Sequence, residues 1–337
     1  MSEENRRLIP VWIWVAVAFA AVGTVIWLAS TSKRPNPPDS FRYDVAEHEE
    51  VEPSLVLASE SAPLKPGVAG LKALAATPDG HIVVAGDHTL VVCNMDGVET
   101  GRYALSTTPE CVAAAPDGMI VLGMLDHVEI LDAAGKPEKV WASLGERAHI
   151  TSVAADEENL YVADAGNRVI LRFDYEGNLQ TRIGEKDEER EIPGLVVPSP
   201  YLDVAFDNMG ALWAVNPGRH GLEQYRPNGD LVSAWYRPSM DPDGFCGCCN
   251  PAHAAFRSDG TLVTAEKGLN RVKLYSVDQK LLGFVADPKV FRASSGGPFS
   301  PELETPFRDL AVDAKDRILV LDANANAVRV FEVKEPN

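Results

Sequence analysis

The residues best equipped for chemistry lie in one short segment, GFCGCCNPAH, at residues 244–253. It places Cys246, Cys248 and Cys249 within four positions, although the chain has only five cysteines among 337 residues. The segment ends with His253. Thiolate sulfur and imidazole nitrogen bind transition metals, and neighbouring thiols also form disulfides. The segment therefore predicts a site at which sulfur itself is used.

Three chemistries are open to these cysteines. A disulfide between the adjacent Cys248 and Cys249 closes only as a strained, reducible ring, so the relaxed bridge runs from Cys111 to one of the three. A transition metal or an iron–sulfur centre needs a fourth ligand, which Cys111 or His253 would supply. Reactive free thiols are the third alternative. Cys93, in the apolar run LVVC, is predicted to be a buried small hydrophobe.

The compartment bears on this choice. Residues Ile9–Ala29 form an uncharged apolar run that is long enough to cross a bilayer as a helix and longer than the apolar core of a cleaved signal peptide. We expect residues 1–8 to be a cytoplasmic tail and 9–29 a transmembrane signal anchor, with the rest on the periplasmic or extracellular side. The alternatives are a cleaved signal and a twin-arginine export signal at Arg6-Arg7. The tryptophans near the two ends of the run suit a membrane interface: Trp12, Trp14 and Trp27.

The chain beyond the anchor begins with a spacer and is strongly acidic. Residues 30–66 are rich in Pro, Glu and Ser, which is typical of a spacer between a membrane and a folded domain. The formal net charge of the chain is −18, although the segment around the anchor is basic. So acidic a domain repels nucleic acids and anionic lipid surfaces, and neither is expected as a partner.

Six related segments fill residues 67–334. Each has short apolar strands separated by polar turns of the Asp-Gly or Asn-Gly type, as in LAATPDGHIVVAGDHTLVVCNMDG from Leu74. The other copies begin at Val112, Val153, Val204, Ala254 and Leu310. Four antiparallel strands repeated every 40 to 50 residues, roughly, are typical of propeller blades. The sequence therefore predicts an all-β six-bladed β-propeller with four-stranded antiparallel blades, preceded by one transmembrane helix.

Three of the copies resemble NHL-repeat propellers. The stretches LYVADAGNRVILRFDYEGN, LVTAEKGLNRVKLYSVDQK and ILVLDANANAVRVFEV follow that family's pattern of strand, Asp, Asn-Arg-Val and strand. The resemblance covers about residues 68–333. It implies the fold more than the activity, because such propellers serve as binding scaffolds, interaction modules, lyases and hydrolases. Blades 1 and 2 depart from the pattern, since they lack the Asn-Arg-Val element.

Blade 6 lacks the length for a fourth strand, because only six residues follow Phe331. A ring of blades leaves no open edge when one terminus completes the blade of the other. The apolar segment Ser54–Ala58 is predicted to be this missing outer strand. The alternative is that it belongs to the spacer.

Long irregular segments precede three of the inner strands, at residues 185–200, 237–250 and 287–306, whereas the connection at 105–109 is short. All of these connections reach the face of the propeller on which the inner strands begin. Long loops clustered on one face of a scaffold indicate binding. The cysteine segment lies in the middle one, at the predicted mouth of the central channel.

Aligning the six copies predicts a ring of side chains at this mouth. We call it the channel ring; it consists of the residue before each apolar inner strand, namely Ala73, Cys111, Ser152, Asp203, His253 and Asp309. Cys111, Asp203, His253 and Asp309 are residue types that a transition metal accepts as ligands. The alternative for the aspartates is structural, because NHL-like blades use Asp here to hold the strand start by hydrogen bonds to backbone N–H groups.

Gluconolactonase-type six-bladed enzymes place their metal ligands mostly one residue earlier, where this chain has Lys72, Glu110, Thr151, Leu202, Ala252 and Arg308. Leu202 and Ala252 cannot bind a metal, which argues against that activity.

Our first hypothesis is a membrane-anchored, extracytoplasmic module that binds a protein partner or a small ligand. Its predicted binding residues are Cys246, Cys248, Cys249, His253 and Arg308. One alternative is a metal-dependent hydrolase or lyase that uses the channel ring. The other is a redox or metal-centre accessory protein for a membrane partner.

Overall fold

The computed structural model describes Trp14, Val22, Thr24, His48 and residues 50–247, 249–294 and 307–334, with residues 292–294 described by their backbone alone. Trp14, Val22 and Thr24 are helical, while the rest of the predicted anchor lies outside the described residues. Within the described residues, no helix combines the length and the apolar character needed to cross a membrane.

In the described part of the chain, 24 strands form six four-stranded antiparallel sheets. Blade 1 consists of β2 (Ala73–Ala76), β3 (Ile82–Gly86), β4 (Thr89–Cys93) and β5 (Glu99–Ala104). Blade 2 consists of β6 (Cys111–Ala114), β7 (Ile120–Gly123), β8 (Val128–Leu131) and β9 (Pro137–Val140). Blade 3 consists of β10 (Ile150–Ala155), β11 (Asn159–Asp164), β12 (Val169–Asp174) and β13 (Leu179–Ile183).

Blade 4 consists of β14 (Asp203–Phe206), β15 (Leu212–Asn216), β16 (Gly221–Tyr225) and β17 (Leu231–Tyr236). Blade 5 consists of β18 (His253–Phe256), β19 (Leu262–Glu266), β20 (Arg271–Tyr275) and β21 (Leu281–Phe284). Blade 6 consists of β22 (Phe307–Val312), β23 (Ile318–Asp322), β24 (Ala327–Val333) and, as its outer strand, β1 (Ala58–Glu60). The predicted all-β, six-bladed propeller with four-stranded antiparallel blades is confirmed.

Blade 6 draws its outer strand from the segment that precedes blade 1. Ala58 lies opposite Val333, and Glu60 lies opposite Phe331. The side chain of Arg329 reinforces this seam, because its Nη2 lies 2.6 Å from Oε2 of Glu60.

The closing strand lies slightly further along the chain than Ser54–Ala58, where the sequence had placed it. Pro53–Leu55 form a turn of 3-10 helix. Val56 forms a parallel bridge with Phe284 of blade 5 before the chain reaches β1. The N–H of Val56 donates to the carbonyl of Pro53 at 3.2 Å, so Ser54 and Leu55 lie in this turn and not in the strand.

The core lies between successive blades. The buried apolar residues of the described chain form six clusters, and each cluster joins two neighbouring blades. A short helix that the sequence did not predict, α1 (Pro288–Ser294), lies in the connection to blade 6. Its Phe291 packs edge-on against Phe307, with ring centroids 4.8 Å apart.

One face of the ring carries the connections between blades. Because neighbouring strands are antiparallel, each inner strand begins at this face, each second strand ends there and each third strand begins there. The connections before β14, β18 and β22 lie on the same side, so we call it the loop face. His253, Glu266 and Arg271 of blade 5 therefore all lie towards the loop face.

Candidate functional site at the mouth of the channel

The six inner strands enclose a cavity of about 320 Å³ on the axis of the ring. Its wall is built largely from small residues and presents polar as well as apolar groups to the channel. Every inner strand contributes an alanine two residues after its channel ring position: Ala75, Ala113, Ala154, Ala205, Ala255 and Ala311. Alanine lets neighbouring inner strands approach closely and still leaves room on the axis. The signal was readable in the sequence, because all six repeats carry Ala at this position.

The structure brings three of the predicted ring residues together at the mouth of this cavity. Nδ1 of His253 lies 3.9 Å from Oδ2 of Asp203 and 3.9 Å from Oδ1 of Asp309. All three side chains are largely buried. Cys111 also lines the cavity, where its thiol is buried.

Asp203 links blade 4 to blade 5. Its carboxylate accepts the backbone N–H of Val204 at 2.9 Å and the backbone N–H of Ala254, in the next inner strand, at 2.9 Å. Ser152 acts in the same way with its hydroxyl, which accepts the N–H of Val204 at 3.2 Å. Each of these side chains ties the start of one inner strand to the following blade.

Asp309 links blade 6 to blade 1 in the same manner. It accepts the N–H of Leu310 at 2.8 Å and that of Leu74 at 2.7 Å. We call the bonds of Ser152, Asp203 and Asp309 to the next blade the inter-blade latches. The two aspartates therefore hold the strand starts by hydrogen bonds to backbone N–H groups, which was the structural alternative to metal binding.

Burial shifts the pKa values of Asp309 and His253 at the mouth of the cavity. It raises the pKa of Asp309 well above its usual value, and the nearby Asp203 carboxylate adds to the effect against the two backbone hydrogen bonds. Burial also lowers the pKa of His253; the Asp203 carboxylate opposes this shift and Arg308 adds to it. Burial at the mouth of the cavity therefore disfavours the charged forms of both His253 and Asp309.

The metal site predicted at Cys111, Asp203, His253 and Asp309 stays a prediction. Among the described residues, no group of three or more His, Cys, Asp or Glu side chains is placed to hold a metal ion. The carboxylates of Asp203 and Asp309 are engaged by backbone N–H groups. Burial raises the pKa of the Cys111 thiol well above its usual value, and the carboxylates of Asp309 and Asp203 raise it further. Metals bind the thiolate, which this environment disfavours.

Further side chains form a rim around the mouth of the cavity, and the sequence analysis predicted only some of them. Arg308, a predicted binding residue, lines the cavity together with Thr151 and Glu110. Tyr201 and Lys267 were missed. The Tyr201 ring meets the His253 ring edge-on at 6.5 Å, and Nζ of Lys267 lies 4.0 Å from the centre of the Tyr201 ring. Neither residue type recurs at the equivalent position of the other copies, so the alignment of the copies carried no signal for them.

The cysteine loop, residues 237–250, lies beside this rim. Asn250 fixes its end, because Nδ2 donates to the carbonyl of Lys267 at 2.9 Å and Oδ1 accepts the Lys267 N–H at 2.9 Å. The thiol of Cys249 is buried and lies against the hydroxyl of Ser199. Cys248 lies outside the described residues.

The other cysteines bear on the disulfide and metal hypotheses. Cys93, Cys111 and Cys246 carry free thiols, so Cys111 and Cys246 do not form a bridge with each other. Burial raises the pKa of Cys246, and the Glu266 carboxylate adds to the rise. Cys93 lies buried in β4, where the sequence predicted a small hydrophobe.

A row of donors on β20 holds the cysteine loop by its carbonyl groups. Nζ of Lys273 donates to the carbonyl of Gly244 at 2.6 Å and to that of Pro242 at 3.2 Å. The hydroxyl of Tyr275 donates to the carbonyl of Asp243 at 3.2 Å. Lys273 and Tyr275 are two residues apart on one strand, so they point to the same side of the sheet.

Lys273 is fully buried, and its charge has one carboxylate partner. Nζ lies 2.5 Å from Oε1 of Glu266, whose side chain is also fully buried. Burial lowers the pKa of Lys273 and raises that of Glu266, while the attraction between the two opposes both shifts. The buried pair of Lys273 and Glu266 thus supports the cysteine loop.

These elements define a six-bladed propeller with a rigidly held loop at the mouth of an alanine-lined channel. Comparison with known proteins bears on the fold. No protein-family model matches the chain, and no curated protein matches it.

Solved structures do match. A streptogramin B lyase structure has a TM-score of 0.59 and 9% identity, over 84% of this chain and 100% of that one. A virginiamycin B lyase from Staphylococcus aureus has a TM-score of 0.56 and 12% identity, over 82% of this chain and 99% of that one. A structural genomics protein of unknown function from Bacteroides thetaiotaomicron has a TM-score of 0.57 and 15% identity, over 82% and 72%. At these identities the likeness shows the fold alone, that of a six-bladed β-propeller.

Proposed function

We propose that this chain is a membrane-anchored, extracytoplasmic, NHL-like propeller that acts as a binding module. Its ligand or protein partner docks on the loop face, at the rim of the channel and on the cysteine loop. The span at residues 9–29 supplies the anchor. The net charge of −18 argues against nucleic acid as the partner.

One observation carries this proposal: Ser152, Asp203 and Asp309 of the channel ring are bonded to the scaffold, and the cysteine loop beside the mouth is held by buried donors. Asp203 and Asp309 bind backbone N–H groups in the next blade. Lys273 binds carbonyls of the cysteine loop. A preorganised loop above a channel mouth whose carboxylates bind backbone N–H groups suits recognition better than it suits metal-assisted catalysis.

Two features supply the contacts for a ligand. The rim offers polar and cationic groups at Arg308, Thr151 and Lys267. The channel beneath offers a cavity of about 320 Å³ lined largely by small residues, which is at the lower end of the volume range for small-molecule sites. Likeness in fold to lyases carries no activity to this chain, because function resides in the site rather than in the fold.

The test uses the full-length protein in its native membranes and a matched pair of arginines. Arg308→Gln alters the rim, and Arg257→Gln alters a half-buried arginine on the opposite face, directly after β18. We expect Arg308→Gln to abolish the cross-linked or co-purified partner, or the small molecule retained in native mass spectrometry. Arg257→Gln should retain it.

Melting temperature separates lost binding from lost folding. Equal retention in the two variants, with both folded, would contradict docking at the rim. Elemental analysis of the same full-length protein tests the metal alternative. A stoichiometric metal that Cys248→Ser with Cys249→Ser removes would favour the accessory-protein hypothesis.

A further inference from the structure

Two cysteines of the cysteine loop lie three positions apart, in the order Cys246-Gly247-Cys248-Cys249. Cys246 and Cys249 therefore have the Cys-x-x-Cys spacing that is typical of redox-active thiol pairs. Cys246 is partly exposed, whereas Cys249 is buried. Thiol–disulfide exchange begins at a sulfur that the reagent can reach and ends at a second sulfur close to the first. The loop thus offers one accessible and one enclosed sulfur at a redox spacing.

The loop folds back on itself between these two cysteines. Nδ2 of Asn250 donates to the carbonyl of Cys246 at 2.5 Å, and the same amide group is bonded to the backbone of Lys267. Gly247 has a φ of 82°, a left-handed conformation that glycine adopts without steric cost. Because Asn250 directly follows Cys249, its contact holds the backbone of Cys249 near that of Cys246. A disulfide needs Cα atoms about 4.4–6.8 Å apart, a distance that residues three apart in a turn satisfy.

Cys249 also connects the cysteine loop to the rim of the channel. Its sulfur accepts the hydroxyl of Ser199, in the connection before β14. The carbonyl of Ser199 in turn accepts the backbone N–H of Tyr201 at 2.7 Å. The Tyr201 ring meets the His253 ring edge-on at the mouth of the cavity. The position of one sulfur is therefore tied, through Ser199, to an aromatic side chain of the rim.

We propose that Cys246 and Cys249 form a reversible dithiol–disulfide pair, and that its oxidation releases Ser199 and so changes the rim at Tyr201. The oxidant is another disulfide, either of low molecular weight or in a protein. The Cys246 thiolate attacks it, forms a mixed disulfide and releases one thiolate. The Cys249 sulfur then attacks the Cys246 sulfur of this mixed disulfide, and the second thiolate leaves. Two thiols become one disulfide, the oxidant becomes two thiols, and both protons pass to the departing thiolates.

The inference rests on the proposed function, because a change at the rim controls binding only if binding occurs there. In the disulfide, the Cys249 sulfur turns towards Cys246, so the hydroxyl of Ser199 loses its acceptor. Burial and the Glu266 carboxylate raise the pKa of Cys246. Because the thiolate is the attacking form, we expect exchange at Cys246 to be slower than at an exposed thiol. The pair therefore suits a response to a sustained change in the redox state of the surroundings.

The pair is tested first on the purified full-length protein, with Cys248→Ser leaving only one possible bridge within the loop. After treatment with glutathione disulfide, the protein is denatured, its remaining thiols are alkylated, and intact mass spectrometry counts them. We expect Cys248→Ser to lose two alkylated thiols and to regain both with dithiothreitol. The double variant Cys246→Ser with Cys248→Ser should form no such bridge. A Cys248→Ser protein that keeps all its thiols, or that ends as a mixed disulfide with glutathione, would overturn the inference.

The effect on the rim is read with a fluorinated tyrosine at position 201, introduced as a non-natural amino acid into the Cys248→Ser protein. We expect its fluorine NMR signal to shift on oxidation and to return on reduction. In the double variant Cys246→Ser with Cys248→Ser the signal should stay in place. Melting temperature checks that both proteins are folded. A disulfide that forms without moving the signal would overturn the link between the pair and the rim.

These failures are distinct from failure of the binding role itself. If the disulfide does not form while Arg308→Gln still abolishes binding and Arg257→Gln does not, the proposed function stands and only the redox control is wrong. If Arg308→Gln keeps full binding, the proposed function fails whatever the cysteines do.

Discussion

The two sides of the propeller differ in their channel ring residues. Blades 4 to 6 carry the polar residues Asp203, His253 and Asp309, whereas blades 1 and 2 carry Ala73 and Cys111. The first side carries two of the inter-blade latches and all three of the longest connections. On the second side, Ala73 and Cys111 have buried side chains, and a partly exposed ion pair between Lys72 and Glu110 joins the residues before the two inner strands.

The difference shows where this fold needs polar groups in its interior. Blades 1 and 2, which meet through a short connection, are held by apolar packing between their sheets and by a partly exposed ion pair between Lys72 and Glu110. Blades that support long loops must also fix the starts of their inner strands, because a loop transmits its movement to the strand that follows it. Asp203 and Asp309 do this with their backbone contacts, and Lys273 does it by binding the loop directly.

The largest effect is expected from the buried pair beneath the cysteine loop. Lys273→Met should destabilise the domain by about 3–5 kcal/mol, because it leaves the Glu266 carboxylate buried without its cation. Adding Glu266→Leu should recover most of that loss, since an apolar pair suits the same space. Chemical denaturation of the two variants measures both values. If the double variant is no more stable than Lys273→Met, the lost stability comes mainly from the contacts of Lys273 to the loop carbonyls and not from the buried charge of Glu266.

A smaller effect is expected at the latches. Asp203→Ala should cost about 1–3 kcal/mol, because it removes the acceptor for the N–H groups of Val204 and Ala254. Cys111→Ala, at the same ring position on the other side, should cost less than about 1.5 kcal/mol, since it removes only apolar packing. Unfolding free energies compare the two. A cost at Cys111 equal to that at Asp203 would remove the distinction between the two sides.

The smallest effect is a dependence on pH from His253. Burial lowers its pKa below the 6.5 of an unfolded histidine, so the unfolded chain takes up this proton first as the pH falls. Stability from this residue is present above pH 6.5 and is lost as the pH falls towards the folded pKa, by at most about 1.4 kcal/mol per pH unit.

His253→Gln should remove that slope, and His88→Gln, at an exposed histidine of blade 1, should not. The charged and titratable groups around His253 are Asp203, Asp309, Arg308 and Tyr201. The raised pKa of Asp309 gives a slope of opposite sign, so the readout is the difference between variant and parent. The same dependence of unfolding free energy on pH in the parent and in His253→Gln would contradict the prediction.

The blades were predictable because their signal is repeated. Alternating apolar strands and Asp-Gly turns recur six times, and the copies reinforce one another even where single strands are weak. The roles of Asp203 and Asp309 were left open, because a carboxylate at a strand start serves a metal or a backbone N–H equally well. Only the position of the next blade decides between these, and that position is not a local property of the sequence.

The donors beneath the cysteine loop could not be foreseen for a related reason. RVKLY at residues 271–275 resembles any strand with alternating polar positions, which usually face solvent. Here the 237–250 loop covers that face and buries Arg271 and Lys273. Tyr201 and Lys267 meet only because two connections from different blades converge, which no repeat pattern records.

The closing strand has a consequence for the order in which the molecule can form. Glu60 meets Arg329 across 269 residues of sequence. Contacts of such separation must wait until nearly the whole chain is made, and they slow folding through the entropy of closing so long a loop. Until β24 is available, β1 has no partner and the last blade has an open edge. The ring of blades therefore closes late in folding, in a single step that pairs its first strand, β1, with its last, β24.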